Sequence, residues 1–120
     1  MSAYTINYDE QRNLIIVVAE RLDENAAAAY IKDFEEILKK VKPGFSGITD
    51  VRKAKSVLSQ EVVALLSPTM QLAINRGLRM DKKWVYLSDS PIFTMQLNRM
   101  FRNQVEYKET YEEAYTYFSS

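Results

Sequence analysis

Apolar and polar positions follow two rhythms along this chain of 120 residues. In "AYTINY" (3–8) they alternate, the period of a strand with one face buried, whereas "LIIVVA" (14–19) is an unbroken, largely β-branched run suited to a strand buried on both faces. The polar "DEQRN" between them has the character of a hairpin connection. Behind the capping residue Asp23 the period changes. Ala26, Tyr30, Phe34, Ile37, Leu38 and Val41 recur at three- and four-residue steps, which predicts a one-sided helix ending before Pro43-Gly44.

"FSGITDV" (45–51) then reads as a third strand, and Ser59 as the N-cap of a helix carrying Val62, Val63, Leu65, Leu66, Met70, Leu72, Ala73 and Ile74 and closed by Gly77. Pro68 falls inside that helix, so it either kinks there or restarts with Ser67 as cap and Pro68 at the first helical position. "KKWVYLSD" is a fourth strand. The Ser90-Pro91 pair opens a helix with Phe93, Leu97, Met100 and Phe101 on one stripe, and "QVEYK" is a short fifth strand. Thr110 and Glu113 stand at capping-box spacing before a terminal helix. The order β-β-α-β-α-β-α-β-α predicts one α/β domain over residues 1–120. Its five-stranded sheet is mixed but mostly parallel, with the first strand as an antiparallel edge.

Composition removes whole classes of chemistry. Without cysteine there are no disulfides, thiol nucleophiles or zinc–thiolate sites, and without histidine the commonest general base and transition-metal ligand are missing. No metal or cofactor is expected. Sixteen Lys+Arg against sixteen Asp+Glu leave no net field to draw the chain to nucleic acid or to an acidic membrane surface. The longest apolar run, Leu14 to Ala19, is far below the roughly 20 residues of a spanning helix. The start "MSAYTINYDEQRN" lacks both a basic and a hydrophobic targeting region, so neither nucleic-acid binding nor stable membrane insertion is expected, and a cytoplasmic location is.

Candidate chemistry gathers where strands end. In an open α/β sheet ligands sit beyond the carboxyl ends of the strands, an edge that here holds Asp50, Arg52, Lys53, Ser59, Asp89 and Ser90. The helix starts at Ser59 and Ser90 offer free N–H groups to a phosphate or carboxylate, with Arg52, Lys53 and Lys55 adding charge to the first. The plainer reading makes both serines caps and the cations solvated turn residues. Met70, Met80, Met95 and Met100, with Phe93, Phe101 and Trp84, form either a cavity for an apolar ligand or ordinary core. Arg76, Arg79, Lys82 and Lys83 cluster around Gly77, either complementing a helix C-terminus or forming a basic patch for a partner. The adjacent pairs Glu35-Glu36 and Glu112-Glu113 diverge on helices and form no dyad.

Three stretches resemble the STAS domain, and within it the SpoIIAA-like (STAS-like) small bacterial domains: "GITDVRKAKSVLS", "WVYLSDSPIFTMQLNRMF" and "VEYKETYEEAYTYF". The resemblance covers nearly the whole chain. It implies a regulatory domain or a small module for lipophilic or anionic ligands. Regulatory members carry Asp-Ser-Ser-Gly at the helix after the third strand, where a serine is phosphorylated; the matching stretch here is Val57-Leu58-Ser59-Gln60, so only Ser59 carries over as a phosphorylation candidate. The favoured expectation is a non-enzymatic regulatory or interaction module that meets a protein partner through this edge. The alternative is a small-ligand binder using the same edge or the Met/Phe-lined cavity. An enzyme ranks third, because it would have to draw its acid and base from Asp, Glu, Lys or Tyr.

Overall fold

The computed structural model describes residues 3–54 and 58–120. Strands β1 (Tyr4–Asp9) and β2 (Leu14–Ala19) form an antiparallel hairpin with Tyr4 opposite Ala19 and Asp9 opposite Leu14. From β2 onward the pairing is parallel, through β3 (Ser46–Asp50), β4 (Trp84–Leu87) and β5 (Val105–Lys108). Spatial order equals chain order, β1-β2-β3-β4-β5. The radius of gyration, 13.2 Å, matches the roughly 14 Å of one packed domain of this length. The expected mixed sheet with an antiparallel edge is thus the observed one.

The two faces of the sheet are covered unequally. Helices α1 (Glu24–Leu38), α2 (Gln60–Leu66), α3 (Thr69–Asn75) and α4 (Pro91–Phe101) share one core with Ile15, Val17, Trp84 and Tyr86. On the other face Leu14, Ile48, Val85 and Leu87 lie under the short α5 (Tyr111–Ser119), through Ala114 and the half-buried Tyr111, Tyr115 and Phe118. Each of those four aliphatic side chains is worth about 1.5–3 kcal/mol when withdrawn from water. A nine-residue helix therefore guards a large share of the stability.

Two local details fix the frame. The Trp84 indole lies flat across β3 at Gly47, where an added Cβ would stand 2.3 Å from the ring, and its Nε1 donates to Thr49 Oγ1 at 2.8 Å. Pro68 breaks the helix after Ser59 in two, because it has no N–H to donate one turn back. Ser67 is not the new cap. Its hydroxyl donates backward to the Val63 carbonyl at 2.6 Å, and Pro68 itself occupies the capping position of α3.

Because the strand order never reverses, this sheet has no switch point at which neighbouring crossovers part and open a crevice. Any recess at the carboxyl end has to be shaped by the loops themselves.

Candidate functional site at the carboxyl end of the sheet

Asp50 and Arg52 end β3 and turn toward α5. The Asp50 side chain is 7% exposed and takes a two-pronged bond from Arg52, Nε to Oδ1 at 3.0 Å and Nη2 to Oδ2 at 2.9 Å. The Tyr111 hydroxyl donates to the same carboxylate at 3.1 Å, and the Arg52 backbone N–H at 3.1 Å. Arg52 also donates to the Glu109 carbonyl at 3.2 Å and lies over the Tyr111 ring. Burial opposes ionisation of Asp50, yet the hydrogen bonds from Arg52 and Tyr111 outweigh it and hold the carboxyl below its ordinary range. Burial first, then the Asp50 charge, pushes Tyr111 up to about 12. Neither group exchanges protons near neutrality. The pair latches the start of α5 to the sheet.

Ser59 and Lys53 belong to a different group. Ser59 is exposed, and its Oγ accepts the Val62 N–H at 3.2 Å while its carbonyl accepts from Val63, the geometry of a helix cap. Gln96 of α4 holds the approach to this cap with both ends of its amide: its Oε1 accepts from Leu58 N at 2.8 Å and its Nε2 donates to Leu58 O at 2.7 Å. Between this segment and the loop after β2 lies an open cleft of about 730 Å³ whose charged and capping rim is Glu20, Arg21, Asp23, Glu24, Lys53 and Ser59. Lys53 pairs with Glu20 at 3.4 Å and Arg21 with Asp23 at 3.3 Å, so among the described residues the rim has one acid in excess. Lys55, expected beside Ser59, and Val57 lie outside the described residues.

Asp89 and Ser90 form a third group. Ser90 caps α4 by accepting the Phe93 N–H at 3.3 Å, and Asp89 is exposed; the Arg52 guanidinium pKa is raised chiefly by its hydrogen bond to Asp50, with the Asp89 charge a minor addition. They border a cleft of about 630 Å³ with Met95, Asn98, Tyr107 and Glu109. The Tyr107 hydroxyl is buried without a hydrogen-bond partner among the described residues, and burial raises its pKa.

The six expected residues thus occupy one end of the sheet in three separate groups. Sequence reading missed Glu20, Gln96 and Tyr111. Glu20 carries a readable signal, a charge placed directly after the buried run of β2. Gln96 and Tyr111 act on loops 38 and 61 residues away and carry none. The methionine set is dispersed: Met70 is buried, Met100 lines an apolar recess with Phe93, and Met80 and Met95 are 81% and 57% exposed. That recess has room for about 20 Å³, on the order of a single water. Among the described residues no three Asp or Glu side chains converge as metal ligands would. No family model matches the chain, and no curated protein matches it in sequence.

Proposed function

We propose that this protein is a STAS-like, non-enzymatic regulatory or interaction module that receives a protein partner at the carboxyl end of its sheet. The observation that carries this reading is the exposed Ser59 cap, which follows a Leu58 backbone clamped by Gln96, at the lip of an open cleft with a charged rim. Charged loop termini held at fixed positions suit protein recognition. An acid–base site would need a titratable group poised near neutrality, whereas Asp50 and Tyr111 are shifted away from it.

Within this reading Ser59 serves as a cap and as part of the contact surface. The test is native mass spectrometry of protein purified from its host, with Ser59→Ala, Ser59→Asp and Glu24→Lys compared. Co-purification of one partner, lost in Glu24→Lys at unchanged melting temperature, is the expected result. A partner kept by Ser59→Ala but lost by Ser59→Asp would make the serine a phosphorylation switch. A stoichiometric small molecule with no protein partner, insensitive to Glu24→Lys, would contradict the reading.

A further inference from the structure

A formal charge of zero conceals a sorted surface. Loops that precede the parallel strands all gather at the amino end of the sheet, and two of them are strongly basic. Loop 39–44 carries Lys39, Lys40 and Lys42 with no acid, and loop 76–83 carries Arg76, Arg79, Lys82 and Lys83 with Asp81 alone to offset them.

Hydrogen bonds weld these loops into one face. Asn13, in the left-handed region at φ 52°, bonds the Lys42 backbone twice, through Oδ1 at 3.2 Å and Nδ2 at 3.1 Å. Gly44 N donates to Gly77 O at 2.7 Å and Arg79 N to Phe45 O at 3.0 Å. Lys40, Lys42, Arg76 and Lys83 are exposed and take part in no ion pair among the described residues. Beside them Met80 projects into solvent, 81% exposed, where nothing in the fold needs it.

We propose that this amino-end face docks the protein, peripherally and reversibly, on an anionic lipid surface. Lysines and arginines held on bonded loops at one end of the sheet meet lipid phosphates and carboxylates, and Met80 enters the apolar boundary beneath them. Nucleic acid fits less well. The aromatic rings at this end, Tyr115, Tyr117 and Phe118, already carry Arg12, Lys82 and Arg79 against them, which leaves no free stack for bases. A phosphate backbone alone would also leave Met80 in water. The proposal does not depend on the partner reading above, since the two sites lie at opposite ends of the strands.

The test is co-sedimentation of the full chain with phosphatidylcholine vesicles, with and without phosphatidylserine, at low and high salt. Binding only to the phosphatidylserine vesicles, lost at high salt, is expected. Each removed cation weakens such binding roughly fivefold, so Lys42→Gln, Arg76→Gln and Lys83→Gln together should weaken it about a hundredfold at unchanged melting temperature. Met80→Ser should weaken it further without altering the salt dependence. Equal binding to both vesicle types, no binding at low salt, or an unaffected triple variant would overturn the proposal. So would salt-sensitive capture of DNA or self-association in place of vesicle binding, which would give this face a different occupant.

Discussion

The two ends of the sheet handle charge in opposite ways. At the carboxyl end the strongest pair, Asp50 with Arg52, is turned inward to hold α5, and the remaining acids rim two open clefts. At the amino end neutral groups do the joining, the Asn13 side chain and the main chain of Gly44, Phe45, Gly77 and Arg79, and Lys40, Lys42, Arg76 and Lys83 are left to face outward. A charge can therefore be structural or available depending on whether a charged or a neutral group closes the gap between neighbouring loops. Summing charge along the chain misses this, because the parallel topology sends the loop before a strand and the loop after it to different ends.

The largest expected effect strikes the frame on which both ends depend. Gly47→Val would drive a branched side chain into the Trp84 ring and should destabilise the fold by about 3 kcal/mol or more, read as loss of the cooperative thermal transition. A variant melting like the parent would show that Trp84 is not fixed across β3.

Next in size is the carboxyl-end latch. Asp50→Ala removes the carboxylate that Arg52 and Tyr111 share and should cost about 2–3 kcal/mol, less than a wholly buried pair because Arg52 is 34% exposed. Since the folded pKa of Asp50 lies below its ordinary 3.8, its contribution is fully present above that value and is lost as pH falls through the lower folded value. Acid unfolding of the parent should accordingly be steeper in that range than acid unfolding of Asp50→Ala. Equal slopes would deny the latch its ionic character.

Smaller effects are expected at Ser59. Ser59→Ala should lose about 1 kcal/mol by thermal melting, whereas Ser59→Asp should stay near the parent, because a carboxylate caps well and suits the helix start. At the amino end, Asp81 is held at about 2 chiefly by its hydrogen bond to Arg79, yet its side chain is exposed. Asp81→Asn should leave the melting temperature unchanged, and a marked drop would mean that this end too relies on side-chain pairing.

Much of this architecture could be read from periodicity. The alternation in β1, the unbroken run of β2 and the caps at Asp23, Ser59, Ser90 and Thr110 all mark real boundaries, because strand and helix periods and cap chemistry are local. The features that could not be read depend on pairings made at a distance. Asp50 and Arg52 look like a site from two residues apart, and only Tyr111, sixty-one residues on, reveals them as a latch. The methionines share a residue type but not a location. Part of the basic face is legible as the cluster Arg76, Arg79, Lys82 and Lys83 around Gly77; Lys39, Lys40 and Lys42 join it only when charges are sorted by strand polarity and not by total, since both loops precede parallel strands.

The division of labour between the ends is tested most directly by capture of the host partner on immobilised protein carrying either Glu24→Lys at the carboxyl end or Lys42→Gln with Lys83→Gln at the amino end. The partner should be lost with Glu24→Lys and retained with the double variant, all proteins melting alike. Retention with Glu24→Lys and loss with the double variant would place the partner at the basic end and contradict that division.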